Sequence, residues 1–256
     1  MELWKKIRLS RIFSNDSWRT IIVPMDHHGT SIAPIKWIED PADLIKKISK
    51  WGANAILSHI WTITHWYSKS WIWSWTSAIL HMNVTTWLSP NPSKKVVVNN
   101  LKTALKLWVD AVSFHVNLWD EKENEMIQEL WILANECIEW WMPLIAMMFV
   151  RGKNFDEKDV ELIRWSARIA AEFGCDAVKV PYTWDIESMK KVVEATPIPV
   201  LIAWGSKMSD EETLKMIKGA IKAWCAWICV WRNIFQRKNP EKFLKIISDI
   251  VHTEKK

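Results

Sequence analysis

Residues 156–183 read DEKDVELIRWSARIAAEFGCDAVKVPYT. An acidic first turn opens a run of apolar residues at helical spacing that lasts to Phe173, and a short Val-rich run at 176–181 follows it. One amphipathic helix feeding one strand that is apolar on both faces is the repeating unit of a parallel sheet covered by helices. The unit recurs along the chain. Strand-like runs fall at 20–25, 54–59, 78–84, 110–116, 143–148, 176–181, 199–203 and 226–230. Between the later ones lie helical patterns. Residues 209–223 open with Ser-Asp-Glu-Glu, a capping-box arrangement, and 240–251 open with proline in the first helical turn. Eight strands alternating with helices predict an α/β fold, a single parallel (β/α)8 TIM barrel over residues 1–256, rather than an open doubly wound sheet. The segments 60–77 and 85–95 read as loops.

A chain of 256 residues can bury a full core without disulfides or metals. Its 34 basic and 29 acidic residues are scattered, and no basic stripe marks a nucleic-acid surface. Cys137, Cys175, Cys225 and Cys229 have no paired metal spacing, which predicts buried free thiols in a reducing compartment. The opening MELWKKIRLSRIF is charged and lacks an apolar signal core, and the longest apolar runs fall far short of the roughly 20 residues of a membrane span. A cytoplasmic protein that binds neither membrane nor nucleic acid is expected.

The tryptophan content stands apart. There are 21 tryptophans and only six glycines, whereas usual glycine usage of ~7% would give about 18 in this length. Trp51, Trp108, Trp141 and Trp224 follow helical segments and precede strands, where glycine ordinarily takes the left-handed conformation. Some bacterial genetic codes read UGA as glycine and others as tryptophan. A gene rich in UGA, read under the second assignment, yields tryptophan at a subset of glycine sites and keeps the GGN-coded glycines. Most of these tryptophans are therefore expected to be glycine in the living protein.

In a (β/α)8 barrel, reactive groups sit at the C-terminal ends of the strands. Lys179 is the sharpest candidate there, in Asp-Ala-Val-Lys-Val-Pro with no other charge beyond the leading aspartate. Desolvation inside a barrel favours the neutral amine of a lysine, which can attack a ketone and form a Schiff base. A lysine that merely reaches from the strand end to water is the structural alternative. Asp26, after the first strand, can move protons or hold a substrate hydroxyl, or can simply cap a turn. His27, His59, His81 and His115 also fall near strand ends, without metal-ligand spacing, and read as structural or substrate-contacting. The seventh and eighth strands end in Trp204-Gly205 and Trp231-Arg232. Barrels often bind phosphate at these two loops, and the Arg232 guanidinium suits it.

These segments resemble the archaeal-type class I aldolases, a family that includes fructose-bisphosphate aldolase and 2-amino-3,7-dideoxy-D-threo-hept-6-ulosonate synthase. The resemblance rests on Arg-Leu-Ser-Arg-Ile-Phe at 8–13, Val-Pro-Met-Asp-His at 23–27, Leu-Ser-Pro-Asn-Pro at 88–92 and Ala-Val-Ser-Phe-His-Val-Asn at 111–117. It continues in Met-Pro-Leu-Ile-Ala-Met-Met at 142–148, Arg-Gly-Lys at 151–153, Lys-Val-Pro-Tyr-Thr at 179–183 and Arg-Asn-Ile-Phe-Gln at 232–236. The segments at 23–27 and 89–92 look more like the heptulosonate synthase branch. The resemblance implies a cofactor-free, metal-free enzyme acting on a phosphorylated sugar, with Lys179 as the Schiff-base lysine and Asp26 as the active-site carboxylate. It implies a phosphate cradle at Trp204–Gly205 and Trp231–Arg232 and a homo-oligomer, often a decamer; His27 and His115, by their place at strand ends, are the candidate substrate contacts. Two features depart: tryptophan stands where the family has glycine, at Trp204 and Trp231 among others, and one catalytic position differs. The family's proton-donating tyrosine aligns with Phe149, which has no proton to give. That departure keeps two other readings open: a related barrel that uses the same lysine for thiolase or acyl-transfer chemistry, and a barrel without catalytic activity.

Overall fold

A computed structural model describes residues 3–14, 16–26, 39–69, 76–86, 88–203, 208–229 and 239–253. Along them run the strands β1 (Thr20–Pro24), β2 (Ala55–Ser58), β3 (Ser77–His81), β4 (Asn83–Val84), β5 (Val96–Val97), β6 (Ala111–Leu118), β7 (Leu144–Val150), β8 (Ala177–Pro181), β9 (Val200–Ala203) and β10 (Trp227–Cys229). The helices are α1 (Leu3–Ile12), α2 (Pro41–Lys50), α3 (Ile60–Lys69), α4 (Leu101–Lys106), α5 (Glu123–Glu139), α6 (Val160–Glu172), α7 (Ile186–Glu194), α8 (Asp210–Lys222) and α9 (Pro240–Thr253). Parallel pairing runs β1–β10–β9–β8–β7–β6–β3–β2 and returns to β1. The fold is α/β and TIM-barrel-like, with its helices outside a parallel sheet.

Two apolar layers follow from strand alternation. Residues such as Val112, Ala146, Val178 and Ile202 face outward against helix residues that recur every three or four positions, as Ile163, Ala167 and Ala170 do on α6. The other parity faces inward: Ile22, Leu57, Ile79, Ala111, Ile145, Ala177 and Leu201 form a separate inner cluster with Ile12 and Phe13. Helix starts are fixed locally. Asp159 caps α6 by accepting from the backbone of Glu161 and Leu162, and Ser209 with Glu212 forms the capping box expected for α8.

Helix α1 lies across the end of the barrel where the strands begin. Lys5 pairs with Asp176 at 2.9 Å, Arg11 with Asp110 at 3.1 Å, and Arg8 donates to the Val109 carbonyl at 2.5 Å. Its Ile12 and Phe13 close the inner cluster from below.

Five helix-to-strand turns share one hydrogen-bond pattern, in which the residue after a left-handed position donates back into the last helical turn. The bonds are Ala53 N–H to Ile48, Val109 to Ala104, Met142 to Cys137, Cys175 to Ala170 and Cys225 to Ala220. The left-handed residues of these turns are Gly52 (φ 99°), Trp108 (55°), Trp141 (51°), Gly174 (80°) and Trp224 (68°). The same motif thus carries glycine twice and tryptophan three times. Among the described residues every non-glycine with positive φ is a tryptophan, the others being Trp18, Trp119 and Trp184. Trp51 departs from the expectation: its φ is −96°, and its neighbour Gly52 takes the left-handed place.

The segment 60–77 is not the expected loop. Residues Ile60–Lys69 form α3. The sequence IWTITHWYSK is poor in strong helix formers, so local preference argues against a helix. Packing overrides it, with Ile63 and Trp66 buried against the core. The third strand also breaks at Met82, where β4 leaves the barrel and pairs antiparallel with β5.

Candidate active site

Strand parity decides which side chains enter the barrel. Ala177 belongs to the inner cluster, so Lys179, two residues on, faces the same way. Across the ladder Lys179 pairs with Met147, and its Nζ lies 3.6 Å from the Met147 Sδ. Among the described residues no carboxylate lies within ion-pair distance of this amine. Met147 is in turn paired with His115, and Phe149 with Asn117. The His115 and Phe149 rings lie 4.9 Å apart, and the Arg151 guanidinium lies 5.5 Å from the Phe149 ring centre. His115 Nε2 is 2.9 Å from Asn117 Oδ1. On the other side His81 Nδ1 is 2.8 Å from Ser113 Oγ, and its ring is 5.4 Å from that of His59.

Burial governs the two inner imidazoles. It pushes His81 down to about 3, with Asp26 opposing and with His59, Lys179 and Lys95 adding to the shift. His115 is driven well below the ordinary histidine range, first by burial and then by Lys95 and His81. Both rings are therefore neutral at physiological pH. The unfolded chain binds protons that the folded chain refuses, so this contribution is complete above about pH 6.5 and is lost as the pH falls towards 3. For His81 alone the cost by pH 5 is about 2 kcal/mol. The urea midpoint should fall between pH 7 and pH 5, and the fall should shrink in His81→Gln. A midpoint that stays flat over that interval would show that neither ring is held neutral by the fold.

Asp26 follows the end of β1, and its carboxylate acts on both His81 and Lys95. Thus Lys179, Asp26, His115 and Phe149, singled out in the sequence, come to the same mouth. His27, Trp204, Gly205, Trp231 and Arg232 lie outside the described residues. Sequence reasoning missed Lys95, which looked like the end of a loop. The β4–β5 hairpin carries it over the barrel mouth, and only a long-range pairing between β4 and β5 places it there. Cys137, Cys175 and Cys225 are buried free thiols, as expected. No described helix is long and apolar enough to cross a membrane, and the described residues contain no cluster of three metal-ligating side chains.

Comparison with known proteins agrees with this geometry. The chain is 35% identical over 252 residues to 2-amino-3,7-dideoxy-D-threo-hept-6-ulosonate synthase 1 of Archaeoglobus fulgidus, covering 98% of this chain and 92% of the relative. It is 30% identical over 254 residues to 2-amino-4,5-dihydroxy-6-oxo-7-(phosphonooxy)heptanoate synthase of Streptomyces griseus, covering 97% and 90%. Among solved structures it superposes with a TM-score of 0.88, at 26% identity and covering 97% and 99% of the two chains, on an archaeal fructose-1,6-bisphosphate aldolase whose catalytic lysine is covalently bound to the carbinolamine intermediate of its substrate. The DeoC/LacD family aldolase profile matches residues 20–237. An inward lysine at a parallel barrel's mouth, matched over nearly the whole chain, makes this protein a member of the DeoC/LacD aldolase family and a class I, Schiff-base aldolase or transaldolase.

Proposed function

We propose that residues 1–256 form a single (β/α)8 barrel in which Lys179 makes a Schiff base with a phosphorylated ketose. The observation that carries the reading is the placement of Lys179, inside the barrel with the Met147 thioether as its hydrogen-bond partner among the described residues. An amine that pairs with no described carboxylate can add to a ketone carbonyl. Loss of water from the carbinolamine gives an iminium, which draws electrons from the adjacent carbon–carbon bond. Asp26 supplies the carboxylate that orients the substrate hydroxyl, and the neutral His115 ring contacts it. The phosphate sits at Trp204–Gly205 and Trp231–Arg232, through backbone N–H groups and the guanidinium. Substrate classes of the fructose-bisphosphate and the dideoxy-heptulosonate types both fit, since relatives of both kinds align over almost the full chain.

Products from a ketose phosphate, with and without coenzyme A, test the assignment. Release of an aldehyde without coenzyme A is the expected result. Turnover only with coenzyme A would favour the thiolase-type reading, which Phe149 motivates because a phenyl ring carries no transferable proton. On the aldolase reading, Phe149→Tyr should raise cleavage by up to roughly 10²-fold, within the range of one added general acid. The new hydroxyl would enter beside His115, since the present ring lies 4.9 Å from it. An unchanged rate would count against a proton donor acting from that position.

A further inference from the structure

The hairpin that leaves the barrel at Met82 is pinned at several points. Asn83 both accepts from the His115 N–H, at 2.9 Å, and donates to the His115 carbonyl, at 2.8 Å. Asn99 donates to the His81 carbonyl at 2.9 Å, and Asn117 donates to the Ser93 carbonyl at 2.5 Å. Lys94 pairs with Glu125 on α5. These bonds fix the backbone on either side of Lys95, which is half-buried and directly precedes β5. Among the described residues its Nζ has the Pro92 carbonyl as hydrogen-bond partner, at 3.4 Å, and no carboxylate within ion-pair distance. The groups that act on it are Asp26 and Arg151, while Lys95 itself acts on His81 and His115. Lys179 acts on the same two imidazoles. The hairpin that carries Lys95 is bonded to the backbone of both imidazole residues, and Lys179 stands across Met147 from His115.

Resting on the Schiff-base reading of Lys179, we propose that Lys95 is the proton-transfer residue of this site. In cleavage, its neutral amine takes the proton of the hydroxyl on the carbon being released. The carbon–carbon bond breaks, the hydroxyl carbon becomes an aldehyde, and the electron pair passes to the iminium nitrogen as an enamine. The Lys95 ammonium then returns the proton to the enamine carbon, restoring the iminium for hydrolysis. No outside reductant or oxidant is needed. Burial and the Arg151 guanidinium lower the Lys95 ammonium to about 8, against Asp26, so both forms are populated near neutral pH. The two imidazoles stay neutral there and do not compete for the proton.

Lys95→Met and Lys95→Arg in the full chain test this. Wild-type cleavage should rise through about pH 8. Lys95→Met should lose roughly 10²–10⁴-fold in kcat with little change in KM, and should lose that pH limb. It should still yield a borohydride-reduced adduct on Lys179, which shows an intact site. Arginine should not rescue it, because a guanidinium does not give up its proton. Rescue by arginine, or a loss confined to KM, would make Lys95 an anchor for an anionic substrate and overturn the proposal. An unaltered kcat in Lys95→Met would overturn it alone, whereas absence of any adduct in the wild type would overturn the Schiff-base reading and this role together.

Discussion

Lys179→Met should abolish ketose-phosphate cleavage while leaving the fold intact. The expected loss is roughly 10⁴–10⁶-fold, the scale seen when a covalent nucleophile is removed. Methionine, one atom shorter than lysine, keeps an unbranched apolar side chain beside Met147, whose sulfur the amine now approaches at 3.6 Å. Because the lysine holds no described carboxylate, its loss strands no partner charge, so thermal stability should hold or rise slightly. Borohydride added to the wild type with a ketose phosphate should leave a reduced adduct that peptide mapping locates on Lys179. The variant should show none. An adduct on another residue, or full activity in the variant, would move the covalent role elsewhere.

Changing Trp108, Trp141 and Trp224 together to glycine should stabilise the protein by roughly 3–6 kcal/mol. Each stands in the left-handed region, with φ of 55°, 51° and 68°, where a residue with a Cβ is disfavoured by about 1–2 kcal/mol. Their indoles give little back, being 78%, 40% and 56% exposed. For a chain of this length the melting temperature should rise by on the order of 10 °C. Gly174 occupies the corresponding turn before β8 with φ 80° and serves as the internal reference; Gly174→Trp should destabilise by a similar amount per site. If the triple change lowers the melting temperature, the indoles contribute packing that outweighs backbone strain. The same observation bears on the living protein. Native peptides across residues 108, 141 and 224 should carry glycine, and their codons should be UGA. Indole in those peptides, with UGG codons, would end that reading.

The strands were legible because a parallel barrel strand is apolar on both faces, so Val- and Ile-rich runs such as AVKVP stand out without any knowledge of neighbours. Lys179 was legible for the same reason, as the single charge within such a run. What local pattern could not show was long-range placement. Helix α3 depends on burial of Ile63 and Trp66 rather than on helix preference. Lys95 joins the site only because β5 pairs with β4 and Asn83 ties that hairpin to β6. Trp18 and Trp119 were missed as left-handed positions because neither closes a helix-to-strand turn, the one context that the sequence flags.

The clamp across the base of the barrel also sets an order in time. Helix α1 is synthesised before either of its anchors, and its bonds to Val109 and Asp110 span 101 and 99 residues of chain. At about 5–20 residues per second the helix waits on the order of ten seconds for them, and longer for Asp176. Through that interval Ile12 and Phe13 have no inner cluster to enter. The helix that is made early therefore docks late, and the nascent chain carries an unshielded basic, apolar segment while the ribosome completes the barrel that will receive it.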